Sequence, residues 1–178
     1  MRWLLAALLL TSPAWAETPA EHLDSLLDQL RTAPNEDEAA TLEQQLLTAW
    51  LDQATPALRL LLVRGTRELN ENNPSAAFDS FDAVLDLDPE LLEGWRGRAQ
   101  ARLRLGDGAG ATHDILEVLH RQPRDVLALK DLSRIAEARG DWRGAFAAWQ
   151  KVLEADPLVG SGRERLRELR RKALGEAT

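Results

Sequence analysis

The 178-residue chain contains no cysteine and no tyrosine, and it has only one methionine and three histidines. Without cysteine it forms no disulfide, no thiolate metal site and no cysteine nucleophile, and it carries no lipid on an N-terminal cysteine. Its folded part therefore depends on the packing of apolar side chains, which a helical repeat array supplies.

The sequence also lacks the patterns that mark common catalytic and metal sites. His113 and His120 are seven residues apart, whereas two helical zinc ligands are expected four residues apart. No G-x-S-x-G nucleophile motif occurs, and the glycines of Gly106–Gly110 are not followed by the Gly-Lys-Ser/Thr of a phosphate loop. We therefore predict no metal, no cofactor and no enzymatic activity.

Long apolar runs are absent except at the start of the chain, where Trp3 to Leu10 is too short to span a bilayer. Arg2 precedes this run, and small residues at Ala14 and Ala16 follow it. This order predicts a secretory signal peptide over residues 1–16, cleaved after Ala16, although a retained N-terminal helix is the alternative. Arginine outnumbers lysine 19 to 3, as is common in GC-rich bacterial genomes, so we expect a periplasmic protein.

Charge is unevenly distributed along a chain whose net charge is −7. Residues 17–57 hold nine acids and one base, whereas residues 160–178 hold three acids and six bases. Such a gradient steers association or favours head-to-tail contacts, and an ordinary solvated surface is the alternative. We predict no nucleic-acid binding by the basic tail, because the chain is acidic and its bases alternate with Glu164 and Glu168.

Prolines recur at an interval of 34 residues, at Pro89, Pro123 and Pro157, and alanines keep the same step at Ala77, Ala111 and Ala145. A period of this length predicts a helix–turn–helix unit repeated three times, over residues 58–91, 92–125 and 126–159.

Two segments flank the repeats. We predict an acidic helical pair over residues 17–57, with a break at Pro34, a helix cap at Asn35 and a helix end at Thr55-Pro56. This pair is expected to cover the exposed end of the array, and a fold back toward the basic side is the alternative. A basic capping helix is predicted over residues 160–178, beginning with a capping box formed by Ser161 and Glu164.

The repeat unit resembles the tetratricopeptide repeat. Numbered from Leu58, Leu92 and Val126, the units have the family's small residue at position 8, alanine at 20, a large apolar residue at 24 and proline at 32. They depart from it at position 11, where the family usually has tyrosine and this chain has Glu68, Arg102 and Ala136. The resemblance implies an all-α fold: three tetratricopeptide repeats in a right-handed α-solenoid, with an N-terminal helical pair and a C-terminal capping helix.

In this family the first helices of successive units line a concave groove. The resemblance implies the following peptide-groove candidates: Arg59, Thr66, Asn70, Arg96, Gln100, Arg104, Lys130 and Arg134. An acidic peptide or a C-terminal carboxylate is expected to lie across Arg96, Arg104, Lys130 and Arg134, unless these charges are already paired or solvated. The family's carboxylate clamp for chaperone tails is absent, because Leu62, Thr66 and Gly97 occupy its positions.

The expected function is that of a non-enzymatic periplasmic scaffold or adaptor that binds a protein or peptide partner in its groove, and an acidic partner is expected. Two alternatives remain open at this point: a structural unit that assembles through charge-polarised ends, and a regulatory subunit of an envelope enzyme. The sequence does not indicate an oligomeric state.

Overall fold

The computed structural model describes residues 18–175, and all regular structure within that range is helical. The predicted signal peptide lies outside the described residues. The helices are α1 (Pro19–Arg31), α2 (Glu36–Asp52), α3 (Pro56–Asn70), α4 (Pro74–Leu87), α5 (Leu92–Arg104), α6 (Gly108–Arg121), α7 (Val126–Ala138), α8 (Trp142–Ala155) and α9 (Gly162–Leu174). Helices α3 to α8 form three successive pairs, and α9 packs on α8.

Side-chain caps start most of these helices. Asn35 accepts a hydrogen bond from the backbone N–H of Glu38 at 2.8 Å, as the sequence suggests. Two expectations are wrong. Thr55-Pro56 begins α3 rather than ending α2, because proline suits the first helical turn, where its missing N–H is not needed. Ser161 lies in the left-handed region with φ 56° and makes no side-chain cap, so the predicted capping box is absent.

Small residues allow the paired helices to approach each other. Ala77, Ala111 and Ala145 are fully buried. A Cβ atom added at Gly65 would lie 2.8 Å from the ring of Phe81. These contacts explain why positions 8 and 20 of each unit are small, since a longer side chain would push the two backbones apart.

The departures from the family at position 11 are explained by a contact with position 23 on the second helix of the same unit. In the first unit the Ser80 hydroxyl donates to Glu68 at 2.6 Å. In the second unit Arg102 donates to Asp114 at 2.7 Å. In the third unit both positions are buried alanines. The two helices of a unit are thus joined by a hydroxyl–acid pair, by an ion pair or by apolar packing.

The N-terminal pair α1–α2, called the hairpin below, does not cover the end of the array as expected. Helix α1 contacts α8, and α2 contacts α5. Leucines of the hairpin share one core with residues of the third unit, namely Val126, Leu129 and Val152. The hairpin therefore lies along the concave face, because its apolar stripe is buried best against the apolar floor of the third unit. The alternative of an acidic segment folded back on the array describes this arrangement.

Candidate functional site

The first helices of the repeats, α3 and α5, form an open cleft together with α2. The cleft has a volume of about 200 Å³, and Leu62, Leu69 and Phe81 contribute to its apolar lining. Five predicted groove residues line it: Thr66, Asn70, Arg96, Gln100 and Arg104. The other three, Arg59, Lys130 and Arg134, are not part of it.

Arg96 lines this cleft as a buried residue and is not free to hold a ligand. Its side chain is 9% exposed, and it donates to Glu93 at 2.7 Å. Its guanidinium lies 6.0 Å from the ring of Trp50 on α2. Burial opposes the charge, but the nearby carboxylates of Glu93, Asp125 and Asp131 raise the pKa of Arg96. Arg96 is therefore a buried structural cation held between the hairpin and the array.

The carboxylates around Arg96 lie in a poorly solvated cluster. Burial is the main reason why the pKa of Glu93 and the pKa of Asp125 lie above the usual values, and Arg96 partly offsets it. The Oδ2 atom of Asp125 has no hydrogen-bond partner among the described residues. A single guanidinium thus faces more carboxylate charge than it neutralises.

The other predicted groove residues of the cleft are exposed, except Gln100, which is half-buried. Arg104 is exposed and donates from Nη1 to the backbone oxygen of Leu69. Gln100 donates to Asp131 at 3.3 Å. Asn70 and Thr66 are exposed on α3. The cleft therefore presents one guanidinium, two amides and a hydroxyl above a leucine-rich floor.

The three remaining groove candidates already have ionic partners. Arg59 is 3.2 Å from Asp52, and Arg134 is 2.9 Å from Asp131. Lys130 donates to Glu43 of the hairpin at 2.6 Å. The structure therefore does not bring Arg96, Arg104, Lys130 and Arg134 together as one free row of cations.

Arg124 was not predicted from the sequence, yet it holds the hairpin. It donates to Asp28 at 2.5 Å and to Asp24 at 3.0 Å, and both carboxylates lie on α1. The excess of acids in residues 17–57 was the available signal, because such a segment pairs best with basic residues elsewhere in the chain.

Asp156, which follows α8, joins the same boundary on the side of α2. Burial raises its pKa to about 6, and the neighbouring carboxylate of Glu43 adds to the rise, while Lys130 opposes it. The Oδ2 atom of Asp156 is buried and has no hydrogen-bond partner within residues 18–175. Two ionised carboxylates only accept hydrogen bonds, so Asp156 bonds to Glu43 only when Asp156 carries a proton.

The positions of the chaperone-tail clamp have no clamp chemistry. Leu62 is buried. At Gly97, an added Cβ would lie 2.2 Å from Phe81, so no larger side chain fits at this position without moving the ring. The structure thus has an apolar wall where the clamp would place lysine and asparagine.

Within residues 18–175 no group of histidine, aspartate and glutamate side chains has the arrangement of a metal site. No helix in this range is long and apolar enough to cross a bilayer.

Comparisons with known proteins agree with this architecture. The chain is 26% identical over 163 residues to a TPR repeat-containing protein of Rhizobium etli. The aligned residues cover 92% of this chain and 80% of that protein. The structure is similar to the first TPR of Spaghetti (RPAP3) bound to the HSP90 peptide SRMEEVD, with a TM-score of 0.61, 22% identity and coverage of 66% of this chain and 95% of that one. It is also similar to the MamA protein, with a TM-score of 0.53, 19% identity and coverage of 89% and 91%. No family model matches the chain.

Proposed function

We propose that this chain, which folds as an array of tetratricopeptide repeats, is a non-enzymatic interaction scaffold that binds a polypeptide segment in the cleft between α2, α3 and α5. The observation that supports this most is the cleft itself, where five groove residues meet beside an open space of about 200 Å³. A preformed concave surface costs little conformational entropy when a ligand binds.

The chemistry of the cleft favours an extended segment with backbone carbonyls or a carboxylate at its rim. The amides of Asn70 and Gln100 and the guanidinium of Arg104 donate hydrogen bonds to such groups. The leucine floor accepts one or two apolar side chains. The Spaghetti domain, similar in fold, is bound to a peptide, which supports this mode of binding although the clamp residues differ.

Stacking through charge-polarised ends has less support. The acidic hairpin lies along the third unit, so it does not form the free N-terminal end of the array. That end instead exposes α3, with Leu60 and Val63 largely exposed.

Two variants test the cleft in the full chain. Thr66→Trp fills the cleft from an exposed position, and Arg104→Glu reverses the charge at its rim. Arg143→Glu, at an exposed position of α8, is the matched charge control. The measurement is capture of partners by the tagged chain from envelope extract at low salt, identified by mass spectrometry.

A protein captured by the wild type and by Arg143→Glu, but lost with both cleft variants, would support the proposal and name the pathway. Equal capture by all four chains would show that the cleft is not the binding site.

Export to the periplasm is part of the proposal and rests on residues 1–16 alone. Cell fractionation of a chain with a C-terminal tag tests it. Release of a shortened product from the periplasm is expected, with a mature N-terminus at Glu17. Retention of the full-length product in the cytoplasm would contradict export.

A further inference from the structure

The hairpin occupies the third-unit half of the groove. It enters the concave face with α1 beside α8, and α2 runs from the loop after α8 toward α5. Its contacts show which chemistry this half of the groove accepts, because the hairpin is itself a helical segment seated in it.

Helix α1 combines an apolar stripe with flanking carboxylates. Leu23, Leu27 and Leu30 are buried in the core shared with the third unit. Asp24 and Asp28 lie on the same helix, and both reach Arg124. Successive leucines and aspartates at these spacings place an apolar face and an acidic edge side by side on one helix.

Open clefts border the contact between the hairpin and the array. One of about 290 Å³ lies where α1 meets Arg124 and Leu129, and one of about 310 Å³ lies where α2 meets Lys130 and Asp156. Exposed side chains line part of both clefts. The hairpin therefore covers its seat on the array only in part.

Unsatisfied polar atoms lie on the same boundary. Within the described residues, four buried side-chain atoms have no hydrogen-bond partner: Trp50 Nε1, Arg96 Nε, Asp125 Oδ2 and Asp156 Oδ2. Trp50 is the hairpin residue over Arg96, Asp125 adjoins Arg96 electrostatically, and Asp156 faces Glu43 of α2. The atoms of Trp50, Arg96 and Asp156 oppose the closed arrangement, since water would satisfy them when the hairpin leaves.

From these observations we infer that the hairpin is a built-in competitor, and that the third-unit half of the groove binds an acidic amphipathic helix of a partner protein in place of α1–α2. The partner helix carries leucines at the spacing of Leu23, Leu27 and Leu30, with carboxylates beside them that pair with Arg124 and Lys130. The inference extends the proposed function to a second part of the same groove.

The linker between α2 and α3 comprises residues 53–55. A tether this short keeps the hairpin at a high effective concentration next to its seat, so a partner competes only when it binds tightly or when the hairpin is weakened. Partner binding and hairpin closure are therefore mutually exclusive.

A labelled synthetic peptide of residues 18–53 of this chain is the probe, and fluorescence anisotropy with the full-length mature chain is the measurement. In the opened variant, Asp24→Lys with Asp28→Lys, the hairpin is repelled by Arg124. The matched control is Asp79→Lys with Asp86→Lys, two exposed aspartates of α4 that undergo the same charge change. We expect the opened variant to bind the peptide about tenfold more tightly than the wild type or the control.

A closed variant completes the test. Because the chain has no native cysteine, Arg31→Cys with Glu154→Cys, two exposed residues that line the cleft between α1 and α8, is joined specifically by a short bis-maleimide, which fixes the hairpin in its seat. The linked chain is expected to lose peptide binding, and the same variant without linker is expected to retain it.

Equal affinity of the opened variant and the wild type, or full binding by the linked chain, would overturn the inference. These outcomes leave the proposed function intact if partner capture still depends on Thr66 and Arg104. The opposite outcome is also distinguishable. If partner capture no longer depends on Thr66 and Arg104 but the hairpin still competes with the peptide, the proposed function is contradicted and the inference is supported.

Discussion

Arg98 and Asp114 form a two-pronged ion pair that joins the two helices of the second unit. Arg98 donates from Nε at 3.0 Å and from Nη2 at 2.9 Å, and the carboxylate of Asp114 is fully buried. Arg102 donates to the same carboxylate, while Arg98 also reaches Asp82 on the preceding unit at 2.5 Å. This network links neighbouring units in addition to their apolar contacts.

Removal of the Asp114 carboxylate is expected to destabilise the array strongly. Asp114→Ala leaves two arginines partly buried without their shared acceptor, at a cost of about 3–5 kcal/mol. The free energy of unfolding from urea titration measures the effect. Asp79→Ala, an exposed aspartate of α4, is the control and should change stability by less than about 0.5 kcal/mol. A loss below about 1 kcal/mol for Asp114→Ala would show that the network is not stabilising.

Gly97 tests the close approach of α5 to Phe81. Gly97→Ala places a methyl group 2.2 Å from the ring of Phe81, which is 2% exposed. Overpacking is expected to cost about 1–3 kcal/mol, even though alanine favours a helix by about 1 kcal/mol over glycine. Thermal unfolding measures the change. Gly160→Ala, where an added Cβ meets nothing within 4 Å, is the matched control. Stabilisation by Gly97→Ala would contradict the packing argument.

The pH dependence of stability is expected to depend on Asp156. Burial, with Glu43 beside it, raises the pKa of Asp156 from an ordinary value of 3.8 to about 6. This pKa is raised in the folded state. The contribution of protonated Asp156 to the free energy of unfolding is therefore complete below about pH 4, and it is lost as the pH rises through 6. Solvent screening at this boundary reduces the loss to about 1–2 kcal/mol.

Asp156→Asn checks this expectation, since an amide donates to Glu43 at every pH. The free energy of unfolding of this variant should exceed that of the wild type at pH 7.5 and match it near pH 4. Asp88→Asn, at the same position of the first unit, is the control. An unchanged pH profile in Asp156→Asn would exclude a role for the Glu43–Asp156 pair.

Salt is expected to weaken hairpin closure more than it weakens the repeats. The pairs from Arg124 to Asp24 and Asp28 are 40–63% exposed, so ions screen them readily. Hydrogen exchange of the α1 amides, compared at 50 mM and 500 mM NaCl, should accelerate severalfold, while the α4 amides stay unchanged. Equal responses of α1 and α4 would show that the hairpin opens only with global unfolding.

The repeats were predictable from sequence to a large extent. Helices α4 and α8 begin at Pro74 and Trp142, directly after side-chain caps, and end before Pro89 and Pro157, which prevent further helix. A repeat period specifies which helices are neighbours, and this explains why the sequence is informative there.

The position of the hairpin was not predictable in the same way. It has none of the repeat's signature residues, so the repeat period does not predict which helices it contacts. Its leucine stripe is compatible with burial against the end of the array or against the groove. Lys130 and Glu43 are 87 residues apart, and pairing at such separations is not encoded by local spacing. The same reason explains why Lys130 already has an ionic partner and why Arg96 is covered by Trp50 of the hairpin.

The seat of the hairpin also determines the order in which the chain can reach its native state. The hydrogen bond from Arg124 to Asp24 spans 100 residues, whereas the bond from Gln100 to Asp131 spans 31. Synthesis proceeds from the N-terminus, so α1 and α2 are made first, yet their apolar stripe has no seat until α7 and α8 exist. Because this long loop must close, the hairpin is synthesised before the repeats but docks last. Its docking also connects the N-terminal end of an otherwise linear array to the third unit. Fraying of the third unit should therefore release the N-terminus as well, which a linear stack of nearest neighbours would not do.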